Sequence, residues 1–180
     1  MTATQQKKTD APSRNGQLTF YHANNKGTGM AARFELKLDP LRGNGGSCFF
    51  LEMARQKTAP VRGEKRLVPA TFDWQTKVTV KLGFMDLCEF LTVLEGRQEQ
   101  AGGARNGLYH DTGAANTLIS FKKGTEHGYS MAVSRKDRDG NIVFRGHILL
   151  SEAEGIGLKS IFHSGIFHVA FHGSLLPAGS

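Results

Sequence analysis

This chain of 180 residues has only two cysteines, too few for a disulfide scaffold. Cys48 lies in an apolar strand and Cys88 on the apolar side of a helix, so both read as small core residues in a reducing compartment. No apolar run approaches the ~20 residues of a membrane span. The polar N-terminus lacks the apolar core of a signal peptide, so a cytoplasmic protein with no membrane partner is expected. Catalytic signatures are missing as well. There is no P-loop, no GxGxxG between a strand and a helix, no GxSxG and no CxxC. The carboxylates form no obvious pair. Of His163, His168 and His172, only the last two have the i, i+4 spacing of a shared helix face, and no HExxH pattern joins them. They read as surface or core histidines. No enzyme, no cofactor and no metal site is expected.

Acidic residues are also in short supply. Sixteen Asp and Glu face twenty-three Lys and Arg, a net charge of +7. The surplus points to a polyanionic partner, nucleic acid or a membrane surface, with incidental basicity as the bland alternative.

What is present is organised around the segment 77–95, KVTVKLGFMDLCEFLTVLE. Val78, Val80 and Leu82 alternate with Lys77, Thr79 and Lys81, the pattern of a half-buried strand. At Gly83 the period changes, and Phe84, Leu87, Cys88, Leu91 and Leu94 fall at helical spacing. Asp86 in the first turn suits the helix dipole, and Gly96 closes the helix. The same order recurs at 141–150 (NIVFRGHILL), followed by a capping box from Ser151 to Glu154 and an apolar helix. Before each unit comes a strand ending in basic residues, CFFLEMARQK (48–57) and GYSMAVSRKD (128–137). The chain therefore reads as an internal repeat of architecture, strands then a helix, twice.

In chain order, 1–16 reads as a disordered tail, 17–173 as a single domain and 174–180 as a second tail. Strands are expected at 17–23 and 30–38, ended by Pro40 and a glycine-rich hairpin loop at 41–47. The next is 48–57, then an irregular basic loop at 58–76. After the first helix come a loop at 97–106, a short bridge at 107–111, and strands at 116–123, 128–135 and 141–150. Seven or eight strands with two helices imply α+β with antiparallel sheets.

Basic and aromatic residues interleave along the strands: Arg33 and Lys37; Phe49, Arg55 and Lys57; Trp74, Lys77 and Lys81; Phe121 and Lys122; Tyr129, Arg135 and Lys136; Phe144 and Arg145. Cations that follow phosphates and rings that stack on unpaired bases suit single-stranded nucleic acid. Lys26, in the turn NNKGTG, joins this set. Trp74 carries a second reading, as the anchor that holds the long loop on the core.

The layout resembles the Whirly fold, shared with the single-stranded-DNA-binding coactivator positive cofactor four and with kinetoplastid guide-RNA-binding proteins. Lys26-Gly27 followed by MAARFE (30–35) is similar to the Whirly KGKAAL-type strand. Phe72-Asp73-Trp74 is similar to its YDW, and Tyr109-His110-Asp111 to its FHD. Thr28 stands where that motif has its second lysine, and Gly29 is inserted before the apolar run. The resemblance implies two antiparallel four-stranded sheets, each followed by a helix. It also implies a homotetramer with helices at its centre, binding single strands between neighbouring sheets with little sequence specificity. The final helix, apolar all round, fits such an assembly in its own right. The expectation is thus a non-catalytic single-stranded-DNA-binding protein, coactivator-like, serving replication, recombination, repair or transcription. RNA binding, transcription regulation and a structural oligomer are the alternatives.

Overall fold

The computed structural model describes residues 16–38, 47–63 and 66–171. The expected tails, the stop at Pro40, the loop body at 41–46 and His172 lie outside the described residues. An antiparallel run opens the fold: β1 (Gln17–His22), β2 (Met30–Lys37) and β3 (Cys48–Thr58). Alternation in β2 sets its faces. Ala32 and Phe34 are buried on one side, in register with Met53 and Leu51 of β3. The segment expected to be irregular contains a small hairpin, β4 (Val61–Arg62) with β5 (Leu67–Val68), and a short strand β6 (Thr71–Phe72). Then come β7 (Val78–Leu82) and helix α1 (Phe84–Leu94). The second half is β8 (Leu108–Asp111), β9 (Ala115–Lys123), β10 (Tyr129–Asp137), β11 (Ile142–Leu150) and helix α2 (Glu152–Phe171).

The second sheet has the expected four strands, in the order β11-β10-β9-β8, all antiparallel. The first has five rather than four. β3 is 11 residues long, whereas β7 has five and covers only Phe49–Met53. The far end of β3 would leave backbone donors and acceptors unpaired, and β6 takes them at Gln56 and Thr58 across a bulge.

Both helix starts are as the sequence indicates. The Gly83 N–H donates to Asp86 Oδ2 at 2.8 Å, and Gly96 follows the Glu95 cap with φ +70°. The apolar stripe of α1 is rotated from expectation. Leu87, Phe90, Leu91, Val93 and Leu94 are buried, Phe84 is exposed at the first turn and Cys88 only half-buried. Cys88 lies about 100° round the helix from Leu87, on the flank of that stripe.

The centre of the core is aromatic. Phe162 of α2 meets Phe34, Phe49 and Phe90 edge-on at centroid separations of 5.4, 5.3 and 5.5 Å. Phe90 continues the chain to Phe121, which stacks on Tyr129 at 5.5 Å. One helix thereby ties both sheets and the other helix together. Gly155 permits the approach, since a Cβ there would run into the Tyr129 ring. The opposite side of α2 leaves Ile156, Phe167 and Phe171 exposed. No helix of the described residues is long and apolar enough to cross a membrane.

At its start α2 is held by a reciprocal capping box. The Glu154 N–H donates to Ser151 Oγ, while the Ser151 N–H and hydroxyl donate to Glu154 Oε2 at 2.8 and 2.9 Å. The other carboxylate oxygen lies 2.7 Å from His22 Nε2. Partial burial pushes the Glu154 carboxyl up, but its hydrogen bonds with Ser151 and His22 outweigh that and hold it below its ordinary value of 4.5. A carboxyl depressed by folding stabilises the fold above its unfolded pKa, and that contribution is lost as pH falls through the folded value. Glu154→Gln should therefore lower the urea midpoint at pH 7, and the gap from wild type should close on acidification below pH 4.5. A gap that stays constant down to pH 3 would assign the effect to lost packing instead.

Candidate nucleic-acid interface

The sheets turn their apolar faces inward, and what each turns outward differs. Alternation places Asn116, Leu118, Ser120 and Lys122 of β9 outward, with Ser130, Ala132, Ser134 and Lys136 of β10 beside them. Val143, Arg145, His147 and Leu149 of β11 complete the row. These three strands present no carboxylate on that face, and β8 adds one at its edge, exposed Asp111 opposite Asn116. Its middle is a floor of small side chains, Ser120, Ala132 and Ser134. Apolar groups stand exposed around it: Tyr109 at 67%, Leu149 at 60% and Val143 at 53% of their surface. Cations with exposed aromatic and apolar groups on a flat sheet can hold a phosphate backbone and receive unpaired bases. The strand alternation of β11 already contained His147, and the segment 109–111 contained Tyr109. Neither is among the expected contacts, because a lone outward residue carries no chemical label in sequence.

The first sheet's outward face is already occupied by its own side chains. Glu52, only 6% exposed, contacts Lys77 Nζ and lies 3.5 Å from Arg33 Nη1. The Arg33 guanidinium sits 4.0 Å from the centre of the Trp74 ring, which meets Tyr21 edge-on at 6.4 Å. Two cations expected to face phosphate are therefore committed to one carboxylate. An acidic residue inside the apolar run CFFLEM was the signal for this.

Trp74 belongs to neither of its expected places in full. It is half-buried and lies on the outer face of the first sheet, outside the apolar core. Trp74→Ala removes the cation–π and edge contacts but leaves no sealed cavity. A loss of about 1–2 kcal/mol in urea unfolding is expected. A loss of ~3–5 kcal/mol, typical of a buried Trp, would show that the indole carries the loop and the sheet together.

The remaining predicted residues separate by position. Lys122, Lys136 and Arg145 share the second sheet's outer face. Lys37 and Lys81 are exposed on the first, and Lys57 is exposed near the end of β3. Arg55 reaches across to the second sheet, 4.9 Å over the Phe144 ring, and Lys26 stands on the exposed turn nearby. Arg135 and Tyr129 point inward instead. Arg135 donates from Nε to Thr117 Oγ1 at 2.8 Å and from Nη2 to the Thr79 carbonyl at 2.7 Å, bridging the two sheets. Burial pulls its pKa down. Tyr129 has its ring on Phe121, and burial pushes its phenol up. Among the described residues, no group of three or more His, Cys, Asp or Glu side chains comes together as a metal site.

No protein-family model matches this chain, and no curated protein matches it in sequence. Solved structures do. WHY3 from Arabidopsis thaliana superposes with a TM-score of 0.66 at 15% identity, over 91% of this chain and 94% of that one. The fold is Whirly-like. The plant transcriptional regulator PBF-2 matches with a TM-score of 0.63 at 15% identity, over 94% of this chain and 92% of its own. A guide-RNA-binding protein complex bound to a guide RNA matches at 0.56 and 17% identity, over 87% and 92%. The Whirly-like topology extends through both halves, so the resemblance carried by 26–35, 72–74 and 109–111 holds at the level of fold.

Proposed function

We propose that this protein binds single-stranded nucleic acid, without catalysis and with little sequence preference, across the outer face of its second sheet. The supporting observation is that face itself. Lys122, Lys136, Arg145 and His147 stand there with exposed Tyr109 and Leu149, against one outward carboxylate, Asp111 on the β8 edge. Phosphate contacts supply affinity, and a floor without directed hydrogen-bonding pairs supplies no base code. The fold shared with a guide-RNA-bound complex supports a nucleic-acid ligand. The strand proposed is DNA, serving replication, recombination, repair or transcription, and the RNA arm of the titration below decides between the two sugars.

Fluorescence anisotropy with single-stranded DNA, single-stranded RNA and duplex tests this. Single strands should bind well above duplex, with log K falling against log salt at a slope of about −3 to −4 for four to six phosphates. Equal weak binding to all three, or a flat salt response, would overturn the reading.

Self-association belongs to the same proposal. Ile156 near the start of α2 and Phe167 and Phe171 near its end are exposed on one side of the helix, and Phe84 and Met85 are exposed at the start of α1. The assembly proposed is a homotetramer built on the helices. Phe162 is buried in the chain's own core and Ile161 packs against it, so Phe167 is the informative position. Phe167→Glu should reduce the mass seen by light scattering while the melting temperature of the chain stays near wild type. A monomeric wild type would remove the tetramer.

A further inference from the structure

Edge strand β11 of the second sheet runs beside the start of β2 and the end of β3, and a cleft of about 500 Å³ opens between them. Arg55 comes to it from the first sheet, and Arg145 and His147 from the second. Its floor is Gly146 and the backbone of 27–30. No Asp or Glu lines it, and neither arginine makes an ion pair among the described residues.

The cleft is built rather than incidental. Gln56, 7% exposed, is hydrogen-bonded through all its amide positions. Its Oε1 accepts from the Asn24 and Gly29 N–H groups at 2.9 and 3.0 Å, and its Nε2 donates to the Asn24 and Thr58 carbonyls at 2.8 and 3.0 Å. The three bonds to Asn24 and Gly29 pin the 24–29 turn at the rim of the cleft, and the fourth ties the amide to the end of β3. The close approach requires glycine at 29, where a Cβ would strike both Gln56 and the His22 carbonyl. Arg55 Cζ lies 4.9 Å from the centre of the Phe144 ring, a contact that holds the guanidinium at the cleft while a planar fork of N–H donors can still receive an anion. A cleft of this size admits a nucleotide-sized group.

We propose that this inter-sheet cleft, with Arg55 and Arg145 as its two forks, is a phosphate-binding site that takes a phosphate group of the bound strand. The site deepens the nucleic-acid reading and rests on it for the source of the phosphate. It places the strand's path, from the outer face of the second sheet over β11 and down toward Lys26. The phosphate is either an internal phosphodiester or a strand's 5′-terminal phosphomonoester, and both present the oxygens that a guanidinium fork receives.

Calorimetric titration of the full-length protein with pyrophosphate tests the site without a nucleic acid. One site per chain is expected in wild type. It should vanish in Arg55→Gln/Arg145→Gln, return in part in Arg55→Lys/Arg145→Lys, and persist in Lys122→Gln/Lys136→Gln. Absent pyrophosphate binding in wild type, or unchanged binding in Arg55→Gln/Arg145→Gln, overturns the proposal. Anisotropy then separates the sources. Loss of two contacts should weaken a single strand about tenfold near 0.15 M salt and reduce the salt slope by about 1.4. Tighter binding of a 5′-phosphorylated strand than of its 5′-hydroxyl twin identifies the terminal group, and equal binding the internal one. If strands bind wild type and the glutamine pair alike, the cleft fails while the nucleic-acid reading stands. Pyrophosphate bound at the cleft with no affinity for any strand keeps the site and overturns that reading.

Discussion

Phe162→Ala is expected to cost about 3–5 kcal/mol of folding stability, the largest single-residue effect in this molecule. The ring is fully buried and meets Phe34 and Phe49 of the first sheet and Phe90 of α1. Phe90 passes the contact to Phe121 of the second sheet, so truncation opens a cavity where both halves of the chain join. Three edge-on pairs are lost besides the transferred area, each worth about 0.5–1.5 kcal/mol beyond burial. Urea unfolding monitored by circular dichroism measures the loss, with Phe162→Leu as the control that keeps most of the volume and costs roughly 1–2 kcal/mol. Equal melting of the alanine variant and wild type would show that α2 is not the element closing the core. Nucleic-acid affinity of the remaining folded fraction should be unchanged, since Phe162 is remote from either outer face.

The complementary result is expected on the second sheet. Lys122→Gln, Lys136→Gln and Arg145→Gln combined should leave the melting temperature within a few degrees of wild type, because all three side chains are exposed strand positions. Their effect falls on binding. At ~0.7 units of slope per phosphate contact, three contacts remove about two units from the log K against log salt plot. At 0.15 M salt that corresponds to a roughly fiftyfold weaker single-strand complex. The same three changes at Lys37, Lys77 and Lys81 of the first sheet provide the contrast. Lys77 is held by Glu52, so less affinity should be lost there. If the first-sheet set proved the more damaging, the strand would run over Trp74 and the assignment of faces would be reversed.

Much of the secondary structure was legible in the sequence because it is locally encoded. Alternation in MAARFELK and NIVFRGHILL, the change of period at Gly83 and the Ser151–Glu154 box each need only neighbouring residues to be read. The repeated order of strands then helix was visible for the same reason, and so was the α+β class. The motifs at 26–35, 72–74 and 109–111 added the Whirly-like fold, which the superpositions bear out.

Tertiary structure decided which of the basic residues face solvent and which face one another. Arg33 and Lys77 are 44 positions apart in the chain, and nothing local shows that both close on Glu52. Arg135 has the same alternation as its neighbours, yet the second sheet leans on β7 so that its guanidinium reaches the Thr79 carbonyl. The fifth strand of the first sheet came from length mismatch between β3 and β7, a property of a pair rather than of either segment. The cleft likewise exists only because β11 lies across the ends of β2 and β3, bringing Arg55 and Arg145 to one opening. Strand and helix follow from the period of neighbouring side chains, whereas charge pairing and clefts depend on contacts between distant segments, and those form only once the chain is packed.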